Sequence, residues 1–211
     1  VKDMEQDENQ LYLKTIVNEV NSMLTEVFES RVRGNIKEFE SFSKDKKELF
    51  GQWTYIFNFY KKLLEEDRRE SQFGTLLGYV FLCVLAEGLV KIILFFDNPN
   101  EYLAIEPRGR TIGNLKKRLT KLIKEPNETK LKELKLSLDL INLLRNNFIH
   151  FPFYYSDDYR FRRLFFQVFA YLLDKFSLWN YLEKSEGEFI KKMALEKPVD
   201  VSLLEVDLYE Q

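Results

Sequence analysis

The sequence predicts an all-α protein, an antiparallel bundle of about six helices. Three observations carry that expectation. Apolar residues recur at steps of three and four along most of the chain, the spacing of one helical face. No strand-period alternation competes with this pattern. The breaks between periodic segments are short, and short connections favour antiparallel neighbours. With 45% hydrophobic residues, 19 Phe and 11 Tyr, the 211-residue chain can bury a thick aromatic core, and its 31% charged residues supply a soluble exterior. One domain over 1–211 is expected, with a core at about 71–182, N-terminal helices in 1–70 packing on it, and a C-terminal tail at 187–211.

The elements follow in order. Leu13, Ile16, Val17, Val20, Met23, Leu24, Val27 and Phe28 mark a first amphipathic helix over about 11–28. Gly34 and Asn35 interrupt it. Ile36, Phe39, Phe42, Leu49, Trp53, Ile56, Phe57, Tyr60 and Leu64 then mark a long second helical stretch, with a break expected near Gly51. A third helix over about 71–96 is apolar almost throughout, and so is expected at the centre of the fold. Residues 97–110 hold two prolines, a glycine and Asp97-Asn98-Pro99-Asn100, which reads as a loop. Thr111 looks like the N-cap of a short helix carrying Ile112, Leu115, Leu119 and Leu122. Pro126 and Asn127 end that helix and open a fifth, from about Glu128 through Leu131, Leu134, Leu138, Ile141, Leu144 and Phe148. Phe151-Pro152 ends it. After a turn at Ser156-Asp157-Asp158, a sixth helix is expected over about 159–182. Phe189, Ile190 and Met193 suggest a short helix, and Pro198 to Gln211 a docked or mobile tail.

Composition narrows the function. A formal net charge of −2 gives no global attraction to nucleic acid, so polyanion binding would need a local cluster. Cys83 is the single cysteine and His150 the single histidine, so neither a disulfide framework nor the usual nitrogen and sulfur ligands of a zinc site can be assembled, and no EF-hand loop is present. No metal and no cofactor are expected. The lone thiol fits a reducing cytoplasm, and the polar start Val1-Lys2-Asp3-Met4-Glu5 gives no support to export. Residues 76–96 are apolar enough to raise the question of a membrane span. Glu87 and Lys91 sit four apart within it, where they can pair beside a protein interior, so a buried helix is the expectation and no membrane partner.

The segment Leu143-Leu144-Arg145-Asn146-Asn147-Phe148-Ile149-His150 carries the functional signal. Histidine exchanges a proton near neutral pH, arginine holds phosphate with a rigid fork of donors, and asparagine can orient either. On a helix Asn146 and His150 share a face, with Arg145 about 100° round. Metal-independent cleavage of an RNA phosphodiester needs a base for the 2′-hydroxyl, an acid for the leaving 5′-oxygen, and positive charge on the phosphorane. One histidine does not comfortably fill both proton-transfer roles. A two-fold homodimer joined through this segment would supply two copies of His150 and Arg145.

Arg145-Asn146-Asn147-Phe148-Ile149-His150 resembles the R-x4-6-H motif, with a polar residue after the Arg, of HEPN domains (higher eukaryotes and prokaryotes nucleotide-binding). The apolar helix with Glu87 and Lys91, then Thr111-Ile112-Gly113-Asn114-Leu115 opening a short helix, then the motif helix, is similar to the order in several bacterial HEPN proteins. The resemblance covers about 71–182. It implies a compact helical bundle, a dimer, and in many members a metal-independent endoribonuclease serving toxin–antitoxin, abortive-infection or CRISPR-linked defence, with Arg145, Asn146 and His150 as the catalytic set. Other members are non-catalytic binding or dimerisation modules. HEPN toxins paired with nucleotidyltransferases have a tyrosine two positions after the His. Pro152 stands there, with Tyr154 and Tyr155 out of register, which counts against that pairing.

Two further groups could support RNA binding. Between Arg108 and Lys135 ten basic residues (Arg108, Arg110, Lys116, Lys117, Arg118, Lys121, Lys124, Lys130, Lys132 and Lys135) face three acids (Glu125, Glu128 and Glu133), a surplus of seven. Arg160, Arg162 and Arg163 follow beyond the motif. This run reads equally as a phosphate-binding surface, with Lys116, Lys117, Arg118 and Lys121 at its centre, or as a solvated helical face. Phe151, Phe153, Tyr154 and Tyr155 could stack bases, or could serve as core or dimer contacts. Glu87 and Lys91 could pair structurally or support the Arg145–His150 site from behind. The expectation is therefore a cytoplasmic HEPN-type endoribonuclease, homodimeric, acting on RNA, with an antitoxin or other protein partner conceivable. The alternative is a non-catalytic interaction module using the same surface for dimerisation or for binding nucleotide or RNA.

Overall fold

The computed structural model describes residues 46–65, 72–106, 109–150 and 159–195, with the side chains of 46, 65, 72–76, 147–150 and 159 left aside. The expected first helix at 11–28, the 36–45 part of the second helical stretch, Arg108, the Phe151-Pro152 helix end with Phe151, Phe153, Tyr154 and Tyr155, the turn at 156–158 and the 198–211 tail lie outside these residues. All regular structure in the described residues is helical: α1 (Lys46–Glu65), α2 (Gln72–Asp97), α3 (Pro99–Leu103), α4 (Ile112–Leu122), α5 (Glu128–His150), α6 (Tyr159–Lys175), a 3-10 turn (Trp179–Tyr181) and α7 (Lys184–Leu195). The all-α expectation holds. Lys46–Gln211 forms one unit, and the boundary with Val1–Asp45 falls inside the stretch 1–70.

Helix α2 is the centre of this bundle, packed against α1, α3, α4, α5 and α6. Its composition explains why. Leu82, Leu85, Ala86, Leu89, Val90 and Ile93 are all buried, so it is apolar around most of its circumference and needs partners on several sides. Leu77–Asp97 is long and apolar enough to cross a membrane, and most of it is buried within the protein.

The α1 face Phe50, Trp53, Phe57 and Tyr60 follows the helical repeat and is buried. The break expected at Gly51 does not occur. Gly51 lies on the exposed side, with nothing near the position of an added Cβ, and tertiary burial of the opposite face keeps the helix continuous. Trp53 stacks on Phe57 with ring centroids 5.4 Å apart, and its indole N–H donates to the Leu85 carbonyl at 2.8 Å. Phe57 in turn meets Phe166 of α6 and Phe189 of α7 edge-on. Aromatic pairs of this kind add to the burial of large apolar surfaces.

Two other boundaries differ from the sequence expectation. The loop at 97–110 contains α3, because Asn98 is an N-cap, accepting the Glu101 N–H on its side chain at 3.1 Å, and Pro99 occupies the first helical position, where its missing N–H costs nothing. The sixth helix ends at Lys175 rather than near Leu182. Ser177 takes a left-handed φ of 54°, Leu178 N–H reaches back to the Leu173 carbonyl at 2.7 Å and Ser177 N–H to the Asp174 carbonyl at 3.1 Å. This is a Schellman ending, followed by the buried Leu178, with serine in the position usually held by glycine. A non-glycine residue there is strained, so Ser177→Gly is expected to raise unfolding free energy by about 0.5–1 kcal/mol in urea melts. No gain, or a loss, would show that the serine hydroxyl stabilises the turn.

The short helix expected around Phe189 runs the length of α7 and docks on the bundle. Ile190 is fully buried, and the buried Glu186 carboxylate accepts the Asn58 side-chain amide at 2.9 Å and the Glu183 N–H at 3.0 Å. The second bond is the carboxylate half of a capping box. Glu125, in the connection between α4 and α5, accepts Lys175 Nζ at 3.1 Å and the Tyr171 hydroxyl at 2.9 Å, fastening that connection to α6. Lys175, Tyr171 and the Asn127 N–H hold the Glu125 carboxyl below its ordinary range, while burial and Glu125 push Tyr171 up to about 12. Asn127 caps α5 by accepting the N–H groups of Thr129 and Lys130.

Candidate functional site

Where α2, α4 and α5 meet, one carboxylate gathers three donors. Glu87 accepts Lys91 Nζ at 2.6 Å on one oxygen; on the other it accepts Arg145 Nε at 3.1 Å and the Ile112 N–H at 3.2 Å. Lys91 follows from the i, i+4 spacing on α2. Ile112 follows from the start of α4. Thr111 occupies the expected N-cap with an extended backbone, yet its side chain makes no capping bond. Glu87 reaches across from α2 to satisfy the orphan N–H instead, which also places a negative charge at the positive end of the helix.

The third donor comes from α5. This helix runs without interruption to His150, so Arg145, Asn146 and His150 belong to its last turns. The side chain of His150 is outside the described residues. Leu138, Ile141 and Leu144 are fully buried and fix the rotation of α5, which leaves Arg145 part-buried beside Glu87 and Asn146 exposed. Arg145 Nη1 donates to the Asn146 amide oxygen at 3.3 Å. Glu87 and Asn146 thus occupy two of the guanidinium's five donors.

Close approach of α4 and α5 makes this meeting possible. A Cβ on Gly113 would lie 2.7 Å from Asn142 Oδ1 and 3.2 Å from its Cγ, so any other residue there would force Asn142 aside. The sequence places Gly113 at the opening of the short helix, and its structural role is this contact.

The electrostatics of the cluster are unbalanced. Side-chain exposure is 14% for Glu87, 14% for Lys91 and 23% for Arg145, so the pairs are only partly screened by water. Arg110 adds a further positive charge, pinned by bonds from Nε to the Ile105 carbonyl at 2.8 Å and from Nη2 to the Leu103 carbonyl at 2.9 Å, with its guanidinium 5.2 Å from the Tyr102 ring centre. Among the described residues of this cluster, one acid therefore faces three bases. Burial pulls the Lys91 ammonium below its ordinary pKa, the Glu87 charge and hydrogen bond push it back, and Arg145 and Arg110 lower it. Burial likewise raises the Tyr102 hydroxyl to about 12, against the pull of Arg110, and raises the Cys83 thiol, against the pull of Arg145. Cys83 is a buried core residue one turn before Glu87 and has no thiolate character.

The remaining residues named from the sequence lie elsewhere. Lys116 forms an ion pair with Asp139 of α5, and Arg118 with Glu101 of α3. Lys117 and Lys121 are exposed on α4, and Arg160, Arg162 and Arg163 are half-buried on α6. Arg110, Tyr102 and Asn142 join the site without a motif to mark them. Arg110 stands out in the sequence only as one member of the basic run, although its place directly before the N-cap at Thr111 is a usable signal. No group of three or more His, Cys, Asp or Glu side chains capable of holding a metal occurs among the described residues.

No family model matches the chain, no curated protein is similar to it, and no solved structure matches it.

Proposed function

We propose that the protein is a metal-independent endoribonuclease of the HEPN type, working as a homodimer whose active site combines the Arg145–His150 segments of both subunits. The observation that carries this reading is the held guanidinium: Glu87 fixes Arg145 at Nε and Asn146 meets it at Nη1, in the last turns of a helix that continues to His150, beside two more cations. An arginine held in this way can bind a phosphodiester without first losing its conformational freedom. In the reaction, His150 of one subunit takes the proton of the ribose 2′-hydroxyl, whose oxygen attacks the phosphorus. Arg145 stabilises the charge on the phosphorane. His150 of the second subunit protonates the departing 5′-oxygen, leaving a 2′,3′-cyclic phosphate and a 5′-hydroxyl.

A role in a toxin or defence system, with an antitoxin or other partner and a cytoplasmic setting, is proposed on the motif resemblance alone. The chemical reading is tested by incubating varied RNAs with wild type and His150→Ala protein in the presence of a chelator. Wild type should cut, the variant should lose at least 100-fold in rate at unchanged melting temperature, and sedimentation should give a dimer. Equal inertness of both proteins would overturn the reading and leave the non-catalytic interaction module.

A further inference from the structure

We propose that the outer face of the α4–α5 hairpin is the surface that holds the RNA strand leading away from Arg145, with Lys117, Lys121, Lys124, Lys132 and Lys135 contacting its phosphates. The identity of the polyanion rests on the ribonuclease reading, and its place on the following geometry.

Two contacts set the register of the hairpin. Gly113 lies against Asn142, and Lys116 pairs with Asp139, so three steps along α4 match three steps back along α5. Continuing that register puts Thr120 beside Lys135 and Ile123 beside Lys132. Lys117, Lys121 and Lys124 follow one another along the adjoining outer ridge of α4 and its C-terminal end. All five lysines are exposed, and none has an ion-pair partner among the described residues.

The pairing of the acids makes this face positive. Asp139 is taken by Lys116, Glu101 by Arg118, and Glu125 is turned inward to Lys175 and Tyr171. Glu128 and Glu133 are the exposed acids left on the hairpin. Structure therefore replaces the diffuse surplus of the sequence with a defined surface, on a chain whose net charge is −2. Arg145 lies beyond Asn142 at the other end of α5, so along the helix axis Lys135 is about 15 Å and Lys132 about 20 Å from it, at 1.5 Å per helical residue, towards the hairpin tip. A strand bound at Arg145 and continuing along the hairpin would bring its more distant phosphates over these lysines, and base-independent contact of this kind suits lysine.

The test uses the full chain in a His150→Ala background, so that binding is read without cleavage. Labelled single-stranded RNA is titrated over a range of salt concentrations with this protein, with a variant also carrying K117Q, K121Q, K124Q, K132Q and K135Q, and with a control carrying K62Q and K192Q. The five-lysine variant should bind more weakly, and its salt slope should fall by about 0.7 for each phosphate that is no longer neutralised. The control should change little. The inference is overturned if the five-lysine variant binds like its parent, if the control loses as much per charge, if the parent binds no RNA, or if the five substitutions abolish binding to anionic lipid vesicles and leave RNA binding intact. Failure of the two proposals is distinguishable. RNA binding with the expected slope, by a protein whose wild type cuts nothing, would sink the ribonuclease and keep the surface; wild-type cleavage unaffected by the five substitutions would do the reverse.

Discussion

Glu87→Ala is expected to lower the unfolding free energy by about 3 kcal/mol, at the lower end of the range for removing one partner of a buried ion pair because the cluster keeps some contact with water. The cause is the number of groups that share this carboxylate. Its loss removes the acid that Lys91 and Arg145 share, beside Arg110, and takes from the Ile112 N–H its side-chain acceptor. Lys91 should then lose its proton at lower pH than in wild type, since Glu87 is the group that pushes its pKa back up. Glu87→Gln keeps an acceptor for Ile112 but no charge, and should fall between the two. Urea unfolding with unchanged slope is the measurement. A loss below about 0.5 kcal/mol for the alanine variant, the level of an ordinary surface substitution, would show that Glu87 is not the joint described.

Phe166→Ala should cost more, about 3–5 kcal/mol. Phe166 is fully buried and its ring is within 5.8 Å, centre to centre, of both Phe169 and Phe189, within 5.9 Å of Tyr60 and within 6.4 Å of Phe57. The cavity would sit where α1, α6 and α7 converge, and rings held by other rings cannot collapse into it. At about 2–4 °C for each kcal/mol in a chain of this size, thermal melting should fall by roughly 6–20 °C. Phe166→Leu should recover part of the loss. An alanine variant that melts like wild type would mean that α7 is not seated on this core.

The elements that local chemistry defines are legible in the sequence, and those that depend on distant partners are not. The α5 start is readable because Asn127 caps it, and the central place of α2 follows from its nearly continuous apolar run. Asn98-Pro99 reads as a turn because the same residues serve turns and helix starts. The end of α6 is hidden because Ser177 takes a conformation usually marked by glycine, secured by the two backbone hydrogen bonds of the ending and the burial of Leu178. At the candidate site, Arg145, Asn146, Glu87 and Lys91 can all be named from the sequence, since a motif and an i, i+4 spacing are local features. That Glu87 joins Arg145 to the start of α4 cannot, because Glu87 lies 25 residues from Ile112 and reaches it only after packing. The basic run shows the same limit. Asp139 and Glu101 lie 23 and 17 residues from the lysine and arginine they neutralise, so a count along the sequence includes charges that the fold cancels.

Glu87 and Arg145 act as a unit at the centre of the site, and a double-mutant cycle tests that most directly. Unfolding free energies of wild type, Glu87→Ala, Arg145→Ala and the double variant should give a coupling of about 1–3 kcal/mol, with the double variant more stable than the two single losses predict. Losses that add to within about 0.5 kcal/mol would contradict it, because Arg145 would then be held by something other than Glu87.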